Sequence, residues 1–215
     1  AEADNDAFCC SRSLEELRDL NHLGALAWIE RFENGVNQTG KPLPEVLSRR
    51  NMHWYEMKDT SVASIVTTMN PDRRLFFAKF ESPSFINQRL IGLKTTADNP
   101  DIDLCHALLN SILGMFYIEA IGFGRGLGAL DISSTTMRNA YMLNPNIIDS
   151  KQRECILEKF DELLQREVYS TERELSEVDR IAFDHEVLRS YGIDQYYNDI
   201  KNSLLSMQRM RLGVR

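Results

Sequence analysis

Arginine and lysine side chains are concentrated in one stretch of the sequence, where they could form a binding surface. Residues 41–100 carry 9 basic and 6 acidic residues, a net charge of +3, although the whole chain has a net charge of −7. The overall charge argues weakly against a nucleic-acid partner. Arginine and lysine nevertheless contact DNA phosphates and read guanine edges. The stretch therefore indicates either a nucleic-acid-binding surface or a solvated sheet face. Its basic residues include Arg49, Arg50, Arg73, Arg74, Lys79, Arg89 and Lys94.

A glycine-rich segment, residues 122–133, could suggest a cofactor loop. Its start resembles the F-x-G-x-G loop with which many methyltransferases hold S-adenosylmethionine, but Leu127 precedes Gly128 and the match is incomplete. A cofactor loop follows a strand and opens a helix, whereas this segment follows a predicted helix and opens a predicted strand. Residues 144–147, Asn-Pro-Asn-Ile, similarly lack the second proline and the aromatic residue of N-P-P-Y. We therefore predict a flexible loop and a turn, and no cofactor in this chain.

The other chemically active residue types do not assemble an active site. Asp184, His185 and Glu186 are consecutive, so on a helix they point about 100° apart and cannot converge on one metal ion. They are predicted to lie on a solvated helix face. The cysteines, at positions 9, 10, 105 and 155, have no C-x-x-C spacing, and no zinc site is expected. Their small number fits a reducing, cytoplasmic protein.

The composition of the 215-residue chain is that of a folded protein, with 43% apolar and 27% charged residues. Disorder is therefore excluded for most of the chain. The most apolar segment, residues 107–124, is interrupted by Asn110, Ser111 and Glu119, and no membrane span is predicted. Residues 101–123 are instead predicted to form one long buried helix, apolar almost all round. Its narrow polar stripe consists of Asp103, His106 and Asn110.

The remaining pattern predicts a mixed α/β (α+β) fold: a small curved mixed sheet around the long helix, with further helices at both ends. Ser13, with Glu16 three residues later, is a capping-box pattern and predicts a helix start. Period-two runs predict strands at residues 54–57, 64–69, 75–80 and 86–94, separated by turns at residues 59–61, 70–72 and 82–84. A short helix is predicted at residues 134–139 and a strand at residues 141–143. We divide the chain into an N-terminal helical segment (1–51), an α/β body (52–149) and a C-terminal helical region (150–215).

The order of several motifs resembles the C-terminal target-recognition region of N6-adenine DNA methyltransferases from restriction–modification systems. Residues 108–114, Leu-Leu-Asn-Ser-Ile-Leu-Gly, and then Tyr117 resemble the family's LLNST-G-x-x-Y helix. Residues 126–132, Gly-Leu-Gly-Ala-Leu-Asp-Ile, resemble its G-G-A-L-x-I loop and strand. Residues 180–193 resemble its R-x-x-x-D-x-x-V-L-x-x-L-G-L helix. The resemblance spans roughly residues 25–212.

The resemblance implies a DNA-binding, sequence-recognition fragment whose partner is double-stranded DNA. In that family a separate domain holds S-adenosylmethionine and flips the target adenine, and its motifs are missing here. The parent protein is then expected to be a site-specific adenine-N6 methyltransferase, with or without a fused endonuclease, and this chain alone is not expected to methylate DNA. A chain that begins with Ala1 rather than Met agrees with that expectation.

The resemblance also selects candidate DNA contacts from the basic stretch and the glycine-rich loop. Glycines around Arg125 would let it approach a phosphate or a base edge, and nearby hydroxyls could add contacts. The predicted DNA-binding residues are Arg73, Arg74, Lys79, Arg89, Arg125, Ser133 and Ser134. Two alternatives remain: a protein-interaction or structural module whose terminal helices are the contact surface, and a small complete enzyme, against which the lack of a converging catalytic set counts.

Overall fold

A computed structural model describes residues 8–57, 62–96 and 101–213. These residues divide into two compact units with the boundary between Val62 and Ala63. We call them the N-terminal and C-terminal units. The fold is mixed α/β, as predicted. The boundary lies eleven residues after the one predicted, and the helices after residue 150 share their unit with the sheet.

The N-terminal unit is helical. Its helices are α1 (Leu14–Asp19), α2 (Leu23–Glu33) and α3 (Leu43–Val46). The predicted capping box starts α1, because the Ser13 and Glu16 side chains each accept the other residue's backbone N–H. A core of Leu17, Ile29 and Tyr55 joins α1 and α2 to the segment that carries Tyr55. The strand predicted at residues 54–57 is wrong: these residues form a turn and irregular backbone.

A three-stranded antiparallel sheet opens the C-terminal unit. Its strands are β1 (Val62–Thr68), β2 (Ala78–Phe85) and β3 (Leu90–Leu93), in the order β2-β1-β3. The central strand β1 pairs with β3 in the register Ile65↔Leu93 to Thr68↔Leu90. The turn predicted at residues 82–84 is wrong, because β2 continues through it. Pro83 is tolerated there because β2 is an edge strand. A two-stranded ribbon, β4 (Phe123–Gly124) and β5 (Leu130–Asp131), follows later in the chain.

Helices make up the rest of the C-terminal unit. They are α4 (Ile102–Leu109), α5 (Ile112–Ile121), α6 (Ser134–Arg138), α7 (Ser150–Leu164), α8 (Thr171–Glu174), α9 (Val178–Ser190) and α10 (Tyr197–Gly213). The short helix predicted near residue 134 is confirmed as α6. Residues 141–143 are irregular rather than a strand. Two apolar clusters fill the unit: one joins the sheet, α5 and α10, and the other joins α4, α7 and α9.

The long helix predicted at residues 101–123 is instead two helices, α4 and α5, which meet at an angle of 65°. Ser111 causes the break, because its Oγ caps α5 by accepting the Gly114 N–H at 3.3 Å. Gly114 allows the close turn: a Cβ at this position would lie 1.9 Å from the Leu109 carbonyl oxygen. Within the described ranges, no single helix has the length and apolar character needed to cross a bilayer.

A buried ion pair fixes the break between α4 and α5. Arg180 of α9 donates to Asp184 at 2.9 Å and also to the backbone carbonyl of Asn110. Asp184 in turn accepts the Ile112 N–H at 2.7 Å. The prediction that Asp184 lies on a solvated face is therefore wrong, because its side chain is fully buried. Two of the motifs behind the family resemblance, residues 108–114 and 180–193, meet at this point.

Two of the three residues of the predicted polar stripe, His106 and Asn110, face a backbone segment rather than solvent, whereas Asp103 is exposed. The Asn110 side chain accepts the Phe77 N–H at 2.9 Å and donates to the Phe77 carbonyl at 3.0 Å. His106 also lies 2.8 Å from that carbonyl through Nε2, which must therefore carry the proton. These contacts take the place of a neighbouring strand just before β2 begins.

Burial of His106 makes the stability of the protein sensitive to pH. Burial lowers the pKa of His106, more than its hydrogen bond to Phe77 raises it. The unfolded chain then binds a proton more readily than the folded one, so the free energy of unfolding should fall as the pH drops below 6.5. Between about pH 7.5 and about pH 5.5, wild type should lose more stability in urea titrations than His106→Gln, which keeps a donor without the titration. Equal losses in the two proteins would contradict this assignment.

Candidate nucleic-acid interface

Four of the five predicted basic contacts border two surface pockets that share Asn70. The Arg89 pocket, of about 270 Å³, is lined by Met69, Asn70, Gln88, Arg89, Arg125 and Asp131. The Arg73 pocket, of about 390 Å³, is lined by Thr68, Asn70, Pro71, Asp72, Arg73, Arg74, Phe76 and Ser170. Because Asn70 lines both, the two pockets are neighbours on one face of the C-terminal unit.

The turns that follow β1 and precede β3 position the polar side chains of both pockets. Met69 donates its N–H to the Arg89 carbonyl at 3.0 Å, which fixes the end of β1 against the turn before β3. In that turn, the Asn87 side chain accepts the Arg89 N–H at 2.8 Å. On the other side, Thr171 of α8 donates to the Arg73 carbonyl through its N–H and its hydroxyl, at 2.8 and 2.9 Å. The backbones that carry both arginines are therefore anchored.

The glycine-rich loop places Arg125 at the Arg89 pocket. The ribbon β4–β5 pairs Phe123 with Asp131 and Gly124 with Leu130, and the Arg125 N–H donates to the Ala129 carbonyl at 2.8 Å. Ile132 then donates its N–H to the Met69 carbonyl at 2.8 Å, which joins the ribbon to the end of β1. The loop is therefore an ordered turn whose ends are fixed. Its Gly128 has φ +78°, a conformation that favours glycine.

Polar side chains in the Arg89 pocket are held close to one another. Asn70 Nδ2 donates to the Asp131 carboxylate at 3.2 Å and to the Leu130 carbonyl at 3.3 Å. Arg125 forms an ion pair with the same carboxylate. Gln88 and Arg89 complete the pocket. Arginine, asparagine or glutamine, and aspartate are the side chains that pair with guanine, adenine and cytosine edges, respectively.

Arg211 of α10 ties together the two segments that carry the pockets. Its side chain is buried and forms a bidentate ion pair with Glu119 of α5. The Nε–Oε1 distance is 2.6 Å and the Nη2–Oε2 distance is 2.9 Å. It also donates to the Asp72 carbonyl at 2.8 Å and to the Gly128 carbonyl. One guanidinium therefore fixes the turn after β1 and the glycine-rich loop at the same time.

Three of the predicted site residues lie away from the two pockets. Lys79, near the start of β2, forms an ion pair with Asp103 of α4. Ser133 is the N-cap of α6: its Oγ accepts the Thr136 N–H at 3.0 Å, and Ser134 is the first residue of that helix. The structure thus brings Arg73 and Arg74 to one pocket and Arg89 and Arg125 to the other.

Three polar residues of the Arg89 pocket were not predicted from the sequence: Asn70, Gln88 and Asp131. Asn70 belongs to the Asn-Pro-Asp turn and Asp131 to the Ala-Leu-Asp-Ile segment, both of which were recognised only as structural motifs. Gln88 directly precedes Arg89, and its position beside a predicted contact was the available signal. A search for neutral polar residues next to the predicted arginines would have found it.

A separate apolar cavity of about 190 Å³ opens at the α4–α5 side of the sheet. Its lining includes Ile65, Cys105, Tyr117, Met142 and Leu143. Burial raises the pKa of the Cys105 thiol, so the thiol is protonated at neutral pH. Across the part of the chain that the structure describes, no three His, Cys, Asp or Glu side chains are grouped to hold a metal ion.

Comparisons with protein-family models, with curated proteins and with solved structures found no match to this chain.

Proposed function

We propose that this chain recognises a DNA sequence, as the target-recognition part of an N6-adenine DNA methyltransferase of a restriction–modification system. The observation that carries the proposal is the Arg89 pocket, in which two arginines, an asparagine, a glutamine and an aspartate line one surface depression. This set contains donors and acceptors for the edges of guanine, adenine and cytosine. If the basic stretch were only a solvated sheet face, these five side chains would not be expected to line one pocket.

The Arg73 pocket supplies the sequence-independent part of binding. Arg73 and Arg74 are adjacent and exposed, on a segment whose backbone is anchored by α8. Phosphate contacts of this type set the register of a protein on the duplex, while base contacts in a neighbouring site read the sequence. The proposed contacts therefore need only a local cluster of positive charge, which an acidic chain can carry.

The ion pair between Arg125 and Asp131 does not prevent DNA binding. The Arg125 side chain is 65% exposed, and an exposed pair contributes only about 0–1 kcal/mol to stability. Exchange of this pair for contacts with DNA therefore costs little. Arg125 then faces a phosphate or a guanine, while Asp131 is available to accept a hydrogen bond from a cytosine amino group.

The methyltransferase assignment of the parent protein rests on the motifs. Two of them, residues 108–114 and 180–193, meet at the buried Arg180–Asp184 pair, and a third, residues 126–132, forms the loop that positions Arg125. Because these motifs contact one another or position a candidate DNA contact, we infer that they belong to one functional unit. In that reading, S-adenosylmethionine and base flipping belong to another domain of the parent protein, and this chain binds the duplex.

Binding experiments with a duplex pool carrying a randomised core of about 12 base pairs test the proposal. Sequences retained by the 215-residue chain are identified, and the best duplex is used in anisotropy titrations. Arg89→Ala should weaken binding to this duplex by about 1–3 kcal/mol and relax the preference at one position. Arg125→Ala should also weaken binding, because it removes a contact to a phosphate or a guanine. Arg73→Ala should weaken binding to all duplexes alike and reduce the salt dependence by about one unit.

Arg189→Ala is the matched control for Arg125→Ala. Arg189 is ion-paired with Glu186, and its side chain is 63% exposed, but it lines neither pocket. Its replacement should leave affinity and sequence preference unchanged. If the Arg89 and Arg125 variants bind every duplex as wild type does, the interface assignment is wrong.

A protein-interaction module is the second candidate, because apolar side chains are exposed around the apolar cavity. Tyr141, Met142 and Ile147 are all exposed, and Met142 also lines the cavity. A partner that covered them would bury an aromatic and two aliphatic side chains. Failure of the chain to retain any duplex from the pool, at low salt, would favour this candidate over DNA recognition.

A further inference from the structure

The two faces of the ribbon β4–β5 differ sharply in character. Gly124 pairs with Leu130, which is buried, and a Cβ on Gly122 would lie 2.5 Å from the Leu130 side chain. This face therefore packs on the core. Because side chains alternate along a strand, Phe123 and Arg125 project from the other face, beside Asp131 of β5.

Phe123 is an exposed apolar side chain that lies beside charged side chains. Its residue surface is 73% exposed, and its neighbours on the same face of the ribbon are the Arg125–Asp131 ion pair. The core does not need this ring, since Leu130 is the ribbon side chain that packs into it, closely against Gly122. A large exposed aromatic ring beside a base-reading pocket needs an explanation of its own.

The ribbon holds Phe123 on a rigid support. Its two strands are paired, Asn70 binds the Leu130 carbonyl and the Asp131 carboxylate, and Ile132 is bonded to the end of β1. Arg211 fixes the Gly128 carbonyl in the loop between the strands. With the ribbon held by these contacts, the Phe123 ring can insert into a ligand while the loop keeps its conformation.

We propose that Phe123 is a wedge that inserts between stacked base pairs of duplex DNA and bends the duplex beside the Arg89 pocket. This inference rests on the proposed function. Proteins that bend DNA insert apolar side chains between base steps and hold the flanking phosphates with basic side chains. Phe123 supplies the ring, and Arg125, two residues further along the same face, supplies the cation next to it. Charge complementarity favours DNA as the occupant, because four arginines line the neighbouring pockets and outnumber the two aspartates there, Asp72 and Asp131.

The experiment measures bending and affinity separately. The 215-residue chain is mixed with the duplex selected from the randomised pool, labelled at its two ends with a donor and an acceptor dye. Wild type should raise energy transfer, as expected for a bend of about 20–90°. Phe123→Ala should bind about tenfold more weakly and leave the duplex straight. Phe123→Leu, which keeps an apolar wedge, should restore much of the bend.

Tyr141→Ala is the control variant, since Tyr141 is also an exposed aromatic residue but lies outside the ribbon β4–β5. It should bend and bind as wild type does. If wild type binds and Phe123→Ala bends the duplex equally, the wedge is excluded while DNA recognition stands. If wild type binds no duplex, both the wedge and the proposed function are overturned. The midpoint temperature of thermal unfolding should be the same for each variant as for wild type, which would show that these exposed substitutions leave the fold intact.

Discussion

Arg180→Ala is expected to destabilise the protein by about 3–5 kcal/mol, the typical effect of removing one partner of a buried ion pair. The substitution leaves the fully buried Asp184 carboxylate without its guanidinium and removes the donor to the Asn110 carbonyl. Both groups lie at the break between α4 and α5. Urea titration monitored by circular dichroism would measure the loss, which is a large fraction of the stability of an average domain.

Arg189→Ala provides the comparison on the same helix. Arg189 pairs with Glu186 within α9, and its side chain is largely exposed, so its removal should cost less than about 1 kcal/mol. Each variant loses one arginine from one ion pair. A difference between their losses of unfolding free energy therefore reports the burial of the pair and not the removal of a charge. Equal losses would show that the Arg180–Asp184 pair does not hold the two helices.

Arg211→Ala is expected to have an effect of similar size, about 3–5 kcal/mol, with a second consequence for the candidate interface. Glu119 would remain buried without a partner, and the carbonyls of Asp72 and Gly128 would lose their common donor. The first carbonyl belongs to the Arg73 pocket and the second to the loop that carries Arg125. Under conditions where the variant is still folded, DNA affinity should therefore fall although Arg211 itself is buried.

Arg209→Ala is the matched control, two residues away on α10. Arg209 pairs with Glu172, and both side chains are more than 60% exposed, so we expect a loss below about 1 kcal/mol. Chemical denaturation gives the stability of both variants, and anisotropy titration gives their DNA affinity. A folded Arg211 variant that binds DNA as tightly as the Arg209 variant would contradict the positioning role.

Local signals in the sequence predicted the fold class and several helix boundaries. The Ser13–Glu16 capping box, the helix after Ser133 and the strand near residues 64–69 all depend on neighbouring residues alone, and the structure has each of them. The break in the long helix was missed because apolar character runs through it. Ser111 was counted as an interruption of an apolar run, although its N-cap role was the decisive property.

Features that depend on distant contacts could not be predicted in the same way. Asp184 was assigned to a solvated face because it and its two neighbours cannot converge on one metal ion. Arg180, however, lies four positions earlier, and both side chains face the α4–α5 break. That spacing was a signal for a paired site. Pro83 was interpreted as a turn because the edge position of β2 is a property of the sheet, not of the local sequence.

The candidate interface was predicted in part. The basic stretch pointed to Arg73, Arg74 and Arg89, and the glycine-rich loop pointed to Arg125; the structure places all four at neighbouring pockets. Charge also pointed to Lys79, whose ion pair with Asp103 depends on a helix twenty-four residues later in the chain. DNA binding itself stays a prediction.

The contacts of Arg211 have a consequence for protein synthesis. Arg211 binds the Asp72 carbonyl across a separation of 139 residues. At the usual rate of about 5–20 residues per second, a ribosome needs about 7–28 s to reach Arg211 after Asp72. The glycine-rich loop is synthesised within that interval, and from then on it and the turn after β1 both exist in the nascent chain, but the guanidinium that joins them has not yet been made. The contacts that join the two segments of the candidate interface can therefore form only after α10 has been synthesised.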